Sequence, residues 1–259
     1  MAQAVPLDWT QLAFWALITG GTPLVLLAVP YLRNRISDRT MHLMLGLSAG
    51  ILGGLATLDI LPESFAAAAD APGLPPQAVP LGVAAGFFLL FLVERHVLKP
   101  EGAHPHFENG KTIRSFGSLV VSALTVHGTM DGFVIPLGFA VSNTVGTIIV
   151  IAVALHQIPD SFAAMTVGLV SGVSRRTALA YVAATAADTP IGMVLGVVFL
   201  TFGTAWLPLG LAFSAGTFLF VSAADLIPEL QHRSRSFLVT LSVVAGFVIV
   251  LLLTALPGA

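Results

Sequence analysis

The sequence predicts an all-α membrane protein of eight transmembrane helices. Three observations carry that expectation. The 259-residue chain is 56% hydrophobic and only 9% charged, with a mean hydropathy of +0.93. A water-soluble domain needs about 25% charged residues to solvate its surface, so the bilayer is the solvent and no soluble domain is expected. Apolar stretches of the roughly 20 residues needed to cross a hydrocarbon core recur along the chain. The eleven Lys and Arg residues gather in alternate connections between those stretches. The net charge of −2 excludes a nucleic-acid partner. With no cysteine present, disulfides, thiolate metal sites and cysteine nucleophiles are excluded as well.

The first helix is expected near 11–32. It follows MAQAVPLDWT, which lacks the positive region of a cleavable signal, so this stretch is read as a retained helix. Arg33, Arg35 and Arg39 then lead into a second helix near 41–68. A third, near 79–98, ends in the connection 99–114, flanked by Arg95 and holding Lys99, Lys111 and Arg114. That connection, KPEGAHPHFENGKTIR, also carries Glu101, His104, His106 and Glu108. It reads as a solvated loop, with a weak metal-acceptor segment as the sharper alternative. Helices four and five are expected near 115–142 and 144–171. Arg175 and Arg176 open the sixth, near 175–203; the seventh runs near 205–229, and Arg233 and Arg235 separate it from the eighth, near 235–257. With eight helices all four basic connections share one face, which the positive-inside rule makes cytoplasmic. Both termini then lie outside, in what is expected to be the cell (inner) membrane.

Helices two and seven carry the same pattern. Ser48-Ala49-Gly50 with Asp59, Pro62 and Glu63 matches Ser214-Ala215-Gly216 with Asp225, Pro228 and Glu229 at constant spacing and without a gap. An odd number of crossings separates the copies, so they run in opposite directions. This is the mark of an inverted repeat, and transporters so built place their substrate near the midplane. Asp59 and Glu63 are expected towards the outer mouth; Asp225, Glu229 and His232 are expected towards the cytoplasm. Acids at both mouths suit a cation path.

The polar groups at mid-depth are stronger evidence. Charge at the bilayer centre costs about 2.5–3.5 kcal/mol and normally marks function. Helix four carries His127-Gly128-Thr129-Met130-Asp131, and helix five carries His156-Gln157-Ile158-Pro159-Asp160. Four-residue spacing puts each His and Asp on one helical face. Each His lies roughly 18 Å into its helix, and Asp188 lies at a similar depth on helix six. Two imidazoles with two carboxylates are donors for a borderline divalent ion such as Zn²⁺, Fe²⁺ or Mn²⁺. Pro159 is expected to kink helix five and free a carbonyl beside the site, with Pro136 and Pro190 acting likewise on helices four and six. Gly128 and Gly132 would let helices approach closely.

At these residues the sequence resembles the ZIP family of metal transporters. His127-Gly-Thr-Met-Asp131-Gly is similar to the family's fourth-helix H-N-x-x-D-G. His156-Gln-Ile-Pro-Asp160-Ser is similar to its fifth-helix H-E-I-P-H-E. The D-T-P-I-G around Asp188 resembles its E-x-P-x-G, and A-D-L-I-P-E its E-L-I-P-E. The resemblance spans nearly the whole chain. It implies eight helices in a 3+2+3 inverted arrangement, external termini and frequent homodimers. It implies a primary metal site of His127, Asp131, His156 and Asp160, and an adjacent second site of Asp131, Gln157, Asp160 and Asp188. Gly128 departs from it by replacing an amide ligand of the second site, and Gln157 stands where many members have an acid, so a single-site transporter is a natural outcome. The expected function is movement of a divalent metal into the cytosol, Zn²⁺ first, with iron, manganese and cadmium as further candidates. No cofactor beyond that substrate and no enzyme activity is expected. One alternative is an intramembrane zinc-dependent hydrolase using the same cluster to activate water, although H-E-x-x-H is absent and Gln157 cannot act as a base. Another is a transporter of Na⁺ or H⁺, against which the paired histidines speak.

Overall fold

The computed structural model describes residues 7–26, 37–71, 73–98, 110–170, 174–233 and 236–255, which form helices with no strand among them. Eight helices follow one another. α1 spans Trp9–Leu26. α2 runs from Asp38–Leu55 through a π-helical turn, Ala56–Ile60, into Leu61–Ala69. α3 is Ala78–Leu92 with a π-helical end, Val93–Leu98. α4 is Gly110–Val141, α5 Asn143–Val170 and α6 Arg175–Leu200. α7 starts with the short 3₁₀ turn Thr204–Trp206 and joins Leu207–Leu219, a π-helical stretch Phe220–Leu226 and Ile227–Arg233. α8 is Phe237–Thr254. The loop residues Glu101, His104, His106 and Glu108 lie outside the described residues, as do Arg33, Arg35, Lys99 and Arg235.

Seven of these helices, all but α1, are long and apolar enough to cross a membrane. The described part of α1 carries Thr10, Gln11, Thr19, Thr22 and Pro23, which dilute its hydropathy. The outer faces of α3, α6 and α8 expose Phe88, Leu92, Val194, Leu241 and Leu252. A water-facing surface would not carry such bands; lipid solvates them. Serines start two of the helices: Ser37 accepts from Thr40 N on α2 and Ser174 from Thr177 N on α6, both at 3.2 Å. At α1 the carboxylate of Asp8 caps, accepting from the Thr10 hydroxyl at 2.6 Å and from the backbone N–H of Thr10 and Gln11 at 2.9 and 3.3 Å. These bonds, the Thr10 hydroxyl foremost, hold its carboxyl below the usual range.

The prolines fall in two settings. α4, α5 and α6 continue through Pro136, Pro159 and Pro190 as single helices. The irregular turns come instead just ahead of Pro62 and Pro228. A proline donates no hydrogen bond and its ring crowds the carbonyl four residues back. Here the chain responds one residue earlier: Leu61 N–H bonds to Ala56 O and Ile227 N–H to Ser222 O, five residues back in each case.

Three helix pairs pack with backbones in contact, at glycines where no side chain would fit. On α4 and α6, a Cβ at Gly132 would run into Thr189 O, one at Gly192 into Thr129 O and one at Gly196 into Phe133 O. On α2 and α8, a Cβ at Gly50 would meet Val243 O and Phe247 N, and one at Gly246 would meet Leu47 O. On α3 and α7, a Cβ at Gly216 would meet Val83 O and Phe87 N, and one at Gly86 would meet Phe213 O. Over longer spans positions rise together, from Gly128 at Asp188 to Pro136 at Gly196, from Gly46 at Ser242 to Gly54 at Val250 and from Gly82 at Ala212 to Phe87 at Gly216, so each pair is parallel. α2 and α7 are antiparallel: Ser222 donates to Ala49 O and Ser64 to Pro208 O, both at 2.8 Å. Small residues are what let membrane helices approach this closely.

Candidate metal site

α4 and α5 cross antiparallel, with Gly138 against Gly146 near one end, and this crossing carries the two H-x-x-x-D faces to each other. Nitrogen atoms of His127 and His156 and a carboxylate oxygen of Asp160 all lie within 4.8 Å of one another. Asp131 completes the group: its Oδ2 is 3.0 Å from His156 Nε2 and 3.5 Å from His127 Nε2, while Asp160 Oδ2 is 3.7 Å from His127 Nε2. Asp131 and His156 are 0% exposed and His127 is 6%. The Asp160 side chain retains 16% and marks the open side of the group. The imidazole rings sit 5.5 Å apart at 46°, and His127 meets the ring of Phe218 on α7 edge-on at 6.4 Å.

The hydrogen bonds show what this group can hold. His156 Nδ1 is 3.1 Å from Ala152 O. A carbonyl only accepts, so Nδ1 carries a proton, and in the neutral ring the lone pair of Nε2 would face Asp131 Oδ2 at 3.0 Å. Two facing lone pairs need a positive species between them, either a proton or a cation bound by both. An imidazole that donates one N–H to a backbone carbonyl and presents the other nitrogen is the usual arrangement of a metal-ligating histidine. Both ring nitrogens of His127, Asp131 Oδ1 and Gln157 Oε1 are buried without a hydrogen-bond partner among the described residues. Buried polar atoms rarely go unpaired; a divalent ion would use such donors directly.

Asp188 and Gln157 stand beside this group. The Asp188 carboxylate lies directly against Gly128, where any Cβ would collide with it. Asp188 Oδ1 accepts from Thr189 N at 2.6 Å and from the Thr189 hydroxyl at 3.2 Å, and Gln157 Nε2 donates to Thr189 Oγ1 at 2.5 Å. All six residues expected at mid-depth, His127, Asp131, His156, Gln157, Asp160 and Asp188, therefore lie in one region on α4, α5 and α6. The other five lie on α2 and α7. Asp59 is buried in the π turn of α2 with Oδ2 unpartnered among the described residues, and Glu63 is half-buried just beyond it. Asp225 is half-buried, and Glu229 and His232 are exposed on the last turns of α7. Thr189 and Phe218 escape a reading of motif spacing. The adjacency of Thr189 to an intramembrane acid is the signal that could have found the first; nothing local in the sequence points to the second.

Residues 96–254 match the family described as ZIP zinc transporter. The zinc transporter GufA of Myxococcus xanthus is 30% identical over 178 residues, covering 67% of this chain and 70% of that protein. The zinc transporter ZIP13 of Pongo abelii is 27% identical over 242 residues, covering 85% of this chain and 69% of that protein. The zinc transporter ZIP10 of Danio rerio is 30% identical over 123 residues, and there the match takes in only 14% of the longer protein.

Proposed function

The chain belongs to the ZIP zinc transporter family, and on that premise we propose that it carries divalent transition-metal ions, zinc foremost, across the membrane into the cytosol. One observation carries the reading: two histidines and an acid from two helices offer ligand atoms within 4.8 Å inside the bundle, with Asp131 beside them. His127, Asp131, His156 and Asp160 supply the four N and O donors of a tetrahedral zinc site. Ligands must be deprotonated to bind, so metal and protons compete for the same atoms.

Entry and exit follow from the acids on either side. α7 is antiparallel to α2, and Phe218, which touches His127, lies on α7 between Pro208 and Ser222. Asp59 and Glu63 belong to the Pro208 side of that level; Asp225, Glu229 and His232 lie beyond Ser222. An ion gathered by the first pair would reach the buried cluster and leave past the second group. Arg39, Arg95 and Arg176, exposed at helix ends, support a cytoplasmic face at the start of α2, the end of α3 and the start of α6. The termini are then outside.

A 3+2+3 inverted arrangement is supported by matching contacts. Gly50 rests on Val243 and Phe247 as Gly216 rests on Val83 and Phe87, and Gly246 meets Leu47 as Gly86 meets Phe213. The π turns precede the same proline in both copies. Such repeats move against each other in alternating access. A single bound ion per chain is favoured because Gly128 leaves an amide ligand out and Asp188 fills the space above it. Pairing of two copies, which the family resemblance implies, belongs to the same reading. The intramembrane hydrolase that this cluster would also allow gains no support from the relatives, all named as transporters.

The test is uptake into liposomes loaded with a metal-sensitive dye, adding Zn²⁺, Fe²⁺, Mn²⁺ and Cd²⁺ separately. Saturable influx that disappears in the Asp131→Ala/Asp160→Ala variant is the expected result. Undiminished influx in that variant, correctly folded, rejects the site.

A further inference from the structure

Four buried hydroxyls on α5, α6 and α7 satisfy themselves on their own backbone, while Ser64 and Ser222 donate to a carbonyl of the facing helix. Thr185 donates to Val182 O at 3.0 Å, Thr217 to Ser214 O at 2.8 Å, Ser161 to Gln157 O at 2.7 Å and Ser214 to Gly210 O at 3.0 Å. Such back-bonding is the default for Ser and Thr in a helix. Thr189 is 0% exposed and does something else. Its hydroxyl donates to Asp188 Oδ1 and accepts from Gln157 Nε2, linking α6 to α5.

The direction of that chain decides which end of the Gln157 amide is left over. Asp188 Oδ1 already accepts the Thr189 backbone N–H, so it is an acceptor. The single hydroxyl proton of Thr189 goes to it, and the hydroxyl oxygen is then free only to accept. It takes an N–H of Gln157, and the amide oxygen is the atom left buried and unpartnered. An amide oxygen is a cation ligand; an amide NH₂ is not. The alternative flip would leave the NH₂ as the unpartnered end, with no lone pair to offer a metal ion.

Resting on the proposed metal site, we propose that Thr189 is a positioning residue for it: the hydroxyl holds Gln157 so that its amide oxygen serves the bound ion as a further donor beside the four named above, and it ties that amide to Asp188. It does so from outside the ligand set, so its effect on binding passes through Gln157. Partners of this kind, once removed, typically cost about 10–100-fold in metal affinity.

The experiment is a double-mutant cycle on the full-length protein in detergent, with Zn²⁺ and Mn²⁺ titrated separately by calorimetry and liposome uptake measured alongside. Thr189→Val keeps the shape and removes the hydroxyl; Thr189→Ser keeps the hydroxyl. The expected result is about a tenfold rise in Kd for Thr189→Val, recovery to within about twofold for Thr189→Ser, and no added loss when Thr189→Val is combined with Gln157→Leu. Native affinity in Thr189→Val, equal weakness in Thr189→Ser, or additive losses in the double variant would each overturn the proposal. A merely structural role would lower the thermal midpoint without the non-additivity. Asp131→Ala/Asp160→Ala, run in parallel, reports on the site itself: if that variant still binds and transports, the site reading fails whatever Thr189 does.

Discussion

His127 and His156 occupy matching places in their motifs, yet the structure gives them different burdens. His156 is tied at both nitrogens, to Ala152 O and to Asp131 Oδ2, whereas neither nitrogen of His127 has a hydrogen-bond partner among the described residues. Replacing His156 by Ala would strand the fully buried Asp131, and a buried polar group left unsatisfied costs about 1–3 kcal/mol, more when it is charged. Replacing His127 removes only longer contacts, 3.5 Å to Asp131 and 3.7 Å to the partly exposed Asp160. We therefore expect His156→Ala to lower both metal affinity and the thermal midpoint of the metal-free protein, and His127→Ala to lower affinity with the midpoint nearly unchanged. Thermal unfolding in detergent with chelator present, beside calorimetric titration, checks this; equal loss of stability in both variants would contradict it. Gly128 makes a second case. Any side chain there meets the Asp188 carboxylate, so Gly128→Ala should displace that acid and weaken binding by about tenfold, the scale seen when partners of metal ligands are disturbed. These distinctions were not legible in the sequence. Four-residue periodicity announces that His127 and Asp131 share a face, and likewise His156 and Asp160. Which histidine is locked by its neighbours depends on the rotation of α5 against α4, and no local pattern encodes that.

The same limit appears among the helices. Eight helices, seven of them long and apolar enough to cross a membrane, and basic residues in alternate connections were readable because hydrocarbon thickness and lysine–arginine placement act on each segment by itself. The response to proline was not, because it depends on what each ring packs against: Pro136, Pro159 and Pro190 sit within unbroken helices while the turns before Pro62 and Pro228 shift to five-residue pairing. Nor did the sequence disclose that Gly192 and Gly196 face Gly132 and Phe133. That contact leads to a prediction separable from the site chemistry. At Gly132 and Gly192 an added methyl would strike a carbonyl of the opposing backbone, so the helices themselves must part. Overpacking of this sort costs about 1–3 kcal/mol. Gly132→Ala and Gly192→Ala should each lower the thermal midpoint of the metal-free protein, while Gly21→Ala, where an added Cβ meets nothing within 4 Å, should leave it unchanged. If all three behave alike, close approach of α4 and α6 is not what holds this part of the bundle.

At the scale of the whole molecule the question is which way the bundle faces, because the roles given to the two acid groups exchange if it is inverted. The basic connections, the parallel pairs and the antiparallel α2 and α7 all agree on which helix ends lie together. That leaves two possible orientations in the bilayer, between which the positive-inside rule chooses. The chain has no cysteine, so one introduced thiol reports its side without a background to subtract. Gln77 before α3 and Phe202 after α6 are exposed at one end of the bundle, and Gln231 is exposed near the end of α7 at the other. With a membrane-impermeant maleimide on intact cells, Gln77→Cys and Phe202→Cys should label at once, and Gln231→Cys only after permeabilisation. The reverse pattern would turn Asp225, Glu229 and His232 into the outer mouth and Asp59 and Glu63 into the exit, and the direction of transport proposed above would have to be inverted with them. Labelling of all three from one side would go further, because it would contradict the odd number of crossings that makes α2 and α7 reversed copies.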